Sequence, residues 1–188
     1  MPPMKSEAEL IPFAPGRLDG SPLLVIAPHP DDEIFGCGGV LAQAAAAGAE
    51  IQVVIATDGT AQGEAADRRA ESIEAASRLG LPEPVLWGLP DRSLTADSQE
   101  LTERMRSLLL ELRPRVMLVP SPAELHPDHR ATAIAAYRLL QQATPGSELH
   151  EAVQSLRLVT YEVSAVLRPN LLVDVTPEWE QVMEAAKA

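Results

Sequence analysis

The stretch LLVIAPHPDDE, residues 23–33, passes from five unbroken apolar residues through Pro-His-Pro into three consecutive acids. An apolar run of that length bounded by proline reads as a strand buried on both faces. The acids then open a segment, residues 33–47, whose apolar side chains fall three and four apart and so predict a helix.

Working outward, the alternation repeats. IQVVIA (residues 51–56), PVLWG (84–88) and RVMLVP (115–120) are further short runs bounded by Pro, Gly or Asp, and each is expected as a strand buried on both faces. Helices are expected over 64–79, closed by Gly80 and followed by Pro82, over 98–112, and over 127–142. LRLVTYEV (156–163) and LLVDV (171–175) add two strand candidates, and a last helical stretch begins at Pro177. Strand and helix in turn at this spacing predict a Rossmann-like α/β fold: a doubly wound, mostly parallel sheet with helices on both faces, in three α/β/α layers. Gly36, Gly38 and Gly39 lie inside the first helix rather than before it, so they read as close packing of that helix on the sheet, not as a phosphate loop. No G-x-G-x-x-G follows the first strand, which argues against a dinucleotide site.

Composition bounds the function. The 188 residues are 46% hydrophobic but only 3% aromatic, so one core of Ala, Leu and Val is expected. Residues 1–20, with four prolines and two glycines and no apolar period, read as an extended arm, and residues 21–188 as a single domain. A net charge of −12 disfavours nucleic acid as a partner. The lone cysteine, Cys37, cannot form an internal disulfide, and residues 1–16 show no apolar signal core, so a cytoplasmic protein is expected. No run reaches the roughly eighteen apolar residues of a membrane span. The sequence specifies no oligomeric state.

Three of the four histidines fall in two similar tetrads, His-Pro-Asp-Asp at 29–32 and His-Pro-Asp-His at 126–129. Each follows an expected strand and opens an expected helix, with proline placed at the first helical position. Residues three apart share a helical face, so His29 should converge with Asp32, and His126 with His129, while Asp31 and Asp128 project aside. With strand order 3-2-1-4-5, the first and fourth strands are neighbours whose carboxyl ends flank the switch-point crevice. Three imidazoles and three carboxylates then share one cleft. Three nitrogen or oxygen ligands with an open position make a catalytic zinc pattern, two His plus one carboxylate being a common version, and iron or another divalent ion fits the same set. One His-Pro-Asp at a helix start reads equally as a cap, but two copies on adjacent strands are not explained by capping.

The segments VIAPHPDDEIFGCGGVLAQAAAAGAEIQVVIATDGT and VMLVPSPAELHPDHRATAIAAYRLL resemble the LmbE-like, or PIG-L, family of metal-dependent N-deacetylases. The resemblance continues through RRAESIEAASRLG and GLPD to LLVDVTPEWE. It implies zinc ligands His29, Asp32 and His129, with Fe2+ as an alternative, and Asp31 as the general base that activates the attacking water. His126, protonated, would meet the oxyanion or serve as acid, and Asp128 would orient an imidazole. The implied substrate is a small N-acetylated amino sugar, N-acetylglucosamine or its conjugate, hydrolysed to amine and acetate. Arg68 and Asp91 match positions that resemble the family's substrate contacts; Asp58 borders the crevice as a turn residue or a further sugar contact.

Two departures from the family pattern stand beside the second tetrad. Leu125 replaces a frequent glycine, and Glu124 stands where some members carry a tyrosine; Glu124 reads as a substrate contact or a loop charge. The chain also stops soon after TPEWE, earlier than family members do, so a domain shortened at its C-terminus is expected, with a non-catalytic sugar- or metal-binding domain as the alternative to an enzyme. His150 lies outside both tetrads in an acidic stretch and receives no role.

Overall fold

The computed structural model describes residues 14–188. Five strands, β1 (Leu23–Ala27), β2 (Ile51–Thr57), β3 (Val85–Leu89), β4 (Val116–Pro120) and β5 (Arg157–Tyr161), form one sheet in the order β3-β2-β1-β4-β5. Every pairing in it is parallel. The helices are α1 (Asp32–Ala46), α2 (Ala65–Arg78), α3 (Gln99–Leu112), α4 (Pro127–Gln141), the short α5 (Glu148–Val153) and α6 (Trp179–Ala185), the last entered through a 3-10 turn at Thr176–Glu178. The expected three-layer α/β fold is present, its sheet wholly parallel.

Alternation along the central strand divides the core in two. Leu23 and Val25 of β1 face α1, α2 and α6, meeting Ile34, Leu41, Ala75, Leu79 and Ala185. Leu24 and Ile26 point the other way, onto Leu101, Met105 and Leu109 of α3 and Ala135 and Leu139 of α4. This is the period-two geometry of a strand covered on both faces. The chain therefore leaves β1 toward one face and β4 toward the other. The register, Leu23 beside Val116 and Val25 beside Leu118, keeps their carboxyl ends level.

Three expectations need correction. β3 was expected to be buried on both faces, but it is an edge strand whose Val85 is 39% exposed, because only β2 pairs with it. Residues 171–175 do not join the sheet: Val173 makes a single bridge to Gly16, and Val175 lies against Gly39 on α1. Their apolar pattern serves contact with a helix rather than a strand ladder. Pro30 does not occupy the first helical position, since α1 begins at Asp32, whereas Pro127 does begin α4. The helix α5, six residues capped by Ser147 Oγ, carries too few turns for a period to show in the sequence. Of the expected arm at 1–20, residues 1–13 lie outside the described residues; Gly16 donates its N–H to the Leu172 carbonyl at 2.7 Å.

The helix-packing reading of the glycines divides by position. A Cβ on Gly36 would come within 2.2 Å of the Tyr161 ring, whereas one on Gly38 meets its nearest neighbour at 3.5 Å. Gly36→Ala must push α1 from β5 and should cost about 1–3 kcal/mol. Gly38→Ala should be neutral or stabilising by up to about 1 kcal/mol through the unfolded chain's lost freedom. Thermal unfolding of the two variants checks this; equal Tm values would contradict it.

Candidate functional site

The turn after β1 sets the site. Asp31 is the residue before α1, at φ +101°, a left-handed conformation that costs a non-glycine residue about 1–3 kcal/mol. Its carbonyl accepts from the N–H groups of Ile34 and Phe35, but its side chain makes no cap bond. The carboxylate instead turns outward to Arg68, whose Nη2 donates to Asp31 Oδ2 at 3.1 Å and to the Pro30 carbonyl at 2.7 Å. Burial and the charge of Asp32 raise the Asp31 carboxyl above its ordinary pKa, and Arg68 only partly opposes them. Asp32 turns inward and accepts from the His29 backbone N–H at 2.9 Å. Thus the two adjacent aspartates diverge, although the cause is a strained turn rather than a regular helical turn.

Across the crevice, His126 ends the loop after β4 and caps α4: its Nδ1 accepts from the Asp128 N–H at 3.2 Å. An acceptor Nδ1 puts the neutral ring's hydrogen on Nε2. Burial and the neighbouring His29 charge hold His126 below its ordinary pKa. His129, one turn on and 4% exposed, faces the first tetrad.

His29 Nδ1 lies 3.1 Å from Asp32 Oδ2, His129 Nε2 lies 3.1 Å from the same oxygen, and the two ring nitrogens are 3.3 Å apart. Ligands about 2.0–2.1 Å from a tetrahedral ion stand roughly 3.3 Å from one another. The triangle therefore already has the spacing of a three-ligand site. Two imidazole nitrogens so close also require a proton or a cation between them. The other nitrogen of His29, Nε2, faces two carboxylates, Asp91 and Asp128, each at 3.2 Å. Such carboxylate partners fix the ring orientation of a ligating histidine. Asp128 Oδ1 in turn accepts from the Leu94 N–H at 3.2 Å. His29 with Asp91 and Asp128, and His29 with His126 and His129, are also close enough to share an ion.

The remaining expected residues divide. Arg68 lines the cleft, but its guanidinium is engaged by Asp31, Pro30 and Glu71. Asp91 also lines the cleft and is mostly committed to His29 and to the Ala61 N–H at 3.1 Å. Asp58 is a turn residue: Oδ1 accepts from Thr60 N and Oγ1 and from the Asp91 N–H. Glu124 is not among the residues that line the cleft; it is 1% exposed and binds the 163–165 backbone. Ser164 and Arg92 line the cleft without having been foreseen. Ser164 follows β5, whose carboxyl end shares the active edge of the sheet, and that position was the available signal. Among the described residues no helix is long and apolar enough to cross a membrane.

The family profile described as PIG-L, GlcNAc-PI de-N-acetylase, matches residues 24–140. A diacetylchitobiose deacetylase of Thermococcus kodakarensis is 26% identical over 187 residues, covering 90% of this chain and 69% of that protein. A 1D-myo-inositol 2-acetamido-2-deoxy-alpha-D-glucopyranoside deacetylase of Mycolicibacterium paratuberculosis is 34% identical over 141 residues, covering 57% of this chain and 47% of that protein. Among solved structures, the N,N'-diacetylchitobiose deacetylase of Pyrococcus horikoshii superposes with a TM-score of 0.76 at 27% identity, over 90% of this chain and 69% of that one. A 4-carboxy-2-hydroxymuconate hydratase, GalB of Pseudomonas putida, is 21% identical with a TM-score of 0.70 over 88% of this chain and 77% of that one, and shares the fold alone.

The charge of His29 gives the site a testable pH dependence. Burial would lower its pKa, but hydrogen bonds to Asp128 and Asp32 and the charges of Asp32 and Asp91 raise it to about 9. Asp32, held by His129 and His29 against the effect of burial, falls to about 2 and carries no proton to displace. An ion entering the metal-free chain below about pH 9 must expel one proton from His29. Zinc affinity, measured by chelator competition, should rise about tenfold per pH unit from near neutrality and level off above about pH 9. An affinity flat over that range would contradict the assignment.

Proposed function

The chain belongs to the PIG-L family, and on that premise we propose that it is a metal-dependent N-deacetylase acting on a small N-acetylglucosamine-containing molecule or conjugate. The observation that carries the proposal is the triangle of His29, Asp32 and His129 in a cleft also lined by Asp31 and His126. Zn2+ suits two imidazoles and a carboxylate at that spacing, and Fe2+ is the alternative. The non-catalytic alternative gains no support from relatives that are named as deacetylases. A cytoplasmic setting agrees with a single, buried cysteine.

Amide hydrolysis near neutral pH needs a deprotonated nucleophile, stabilisation of an oxyanion and a proton for the departing amine. The ion, when bound, supplies Lewis acidity toward the carbonyl and makes an attacking water more acidic. Asp31 takes the water's proton on its outward carboxylate, held by Arg68, and delivers it to the amine nitrogen. Its raised pKa brings it closer to the range in which a carboxylate exchanges protons efficiently. His126 presents Nε2–H to the developing oxyanion as a neutral donor, its other nitrogen fixed by the α4 cap. Asp128 and Asp91 hold His29 from behind.

The cleft measures about 240 Å³, below the roughly 300–1,000 Å³ of sites for drug-sized ligands. It suits one small unit, with the rest of any conjugate outside. Diacetylchitobiose and the inositol glycoside, on which the relatives act, are therefore the first compounds to assay.

Asp31→Asn should keep zinc and lose about 10²–10⁴-fold in kcat. His129→Ala should lose the zinc itself. Amine release from a panel of N-acetylglucosamine conjugates, with metal analysis, checks both; Asp31→Asn turning over at the parent rate would remove Asp31 as the base.

A further inference from the structure

Glu124 is unlike the other acids around the cleft. It lies in the turn between β4 and α4, is 1% exposed and does not reach the cleft surface. Its carboxylate accepts from three successive backbone N–H groups, Val163 at 2.7 Å, Ser164 at 3.1 Å and Ala165 at 3.3 Å, and from Ser164 Oγ at 2.6 Å. These bonds hold its pKa below the ordinary carboxylate value although burial opposes them. The segment it grips supplies Ser164 to the cleft wall.

The same carboxylate faces the other way as well. Glu124 Oε2 stands 3.5 Å from His129 Nδ1, a buried ring nitrogen that has no hydrogen-bond partner among the described residues. For His129 to offer a lone pair from Nε2, Nδ1 must carry the hydrogen, and that hydrogen needs an acceptor. His29 has two carboxylates for this purpose. For His129 Nδ1 the carboxylate within reach is Glu124.

We propose that Glu124 is a positioning residue that sets the His129 imidazole for the ion and, with the same carboxylate, fastens the 163–165 wall of the cleft, so that ion uptake and ordering of that wall are linked. The inference rests on the metal-site reading above. Linkage is reciprocal: whatever the ion gains from the seated wall, the wall gains from the ion. A proton fixed on His129 Nδ1 draws Glu124 closer, and Glu124 carries the Val163, Ser164 and Ala165 amides with it.

The test uses zinc alone on the full chain. Amide exchange at Val163, Ser164 and Ala165 should slow when zinc is added to the parent protein. In Glu124→Gln the same amides should exchange faster and no longer respond to zinc. Zinc affinity by chelator competition should fall about 10- to 100-fold in that variant, the usual effect of losing a partner behind a ligating histidine. Ser164→Ala, which removes one bond and leaves Glu124 in place, should show a smaller loss in the same direction. A purely structural Glu124 would lower Tm yet leave the zinc affinity of the folded chain unchanged, and that result would overturn the inference while leaving the metal site standing. Parent amides indifferent to zinc would overturn it too, and this arm needs no variant. A parent chain that takes up no zinc would remove both readings together.

Discussion

The pairing of β1 with β4 is the constraint on which the rest depends. The two strands run parallel and in register, Leu23 beside Val116, at the centre of the sheet. Their chains then leave for opposite faces, so the loops after them open a crevice that neither helix layer fills. Two tetrads almost a hundred residues apart meet there because backbone hydrogen bonds at the base of the crevice hold them level. Each local device serves that meeting. The left-handed Asp31 sends adjacent carboxylates in different directions, and the His126 cap leaves one ring nitrogen facing the cleft.

The acidity of the site gives the assembly its polarity. Asp32, Asp91 and Asp128 surround one partly buried imidazole, and Glu33, 1% exposed, is raised to about 8 by burial and by the charges of Asp32 and Asp31. Carboxylates gathered this closely repel one another unless a cation stands among them. Without an ion, the charged His29 fills that place. With one, the imidazole must give up its proton, and the positive charge moves to the ion.

Much of this was legible in the sequence. The four long helices and five strands follow from apolar period and from Gly and Pro punctuation, and the meeting of the two tetrads follows from topology and spacing, whereas the choice of His29, Asp32 and His129 within them rests on the family resemblance. What escaped depends on distances that no period encodes. Glu124 reads in the sequence as a substrate contact or a loop charge because its partners lie about forty residues further on, and their N–H groups have no signature in the sequence. The use of the His126 ring as the cap of α4 escaped because a histidine Nδ1 is not an obvious helix cap. Residues 171–175 carry a strand's composition, yet Val175 is used against Gly39 of α1.

His29 presents two different edges, and only one of them can hold the ion. Nδ1 faces Asp32 and His129, whereas Nε2 faces Asp91 and Asp128. A crystal of the zinc-loaded chain, with anomalous data collected across the zinc edge, locates the ion directly. One peak is expected, bonded to His29 Nδ1, Asp32 Oδ2 and His129 Nε2, with a coordination position open to the cleft. A peak between His29 Nε2 and the Asp91 and Asp128 carboxylates, or one held by all three imidazoles with Asp32 unbound, would contradict it.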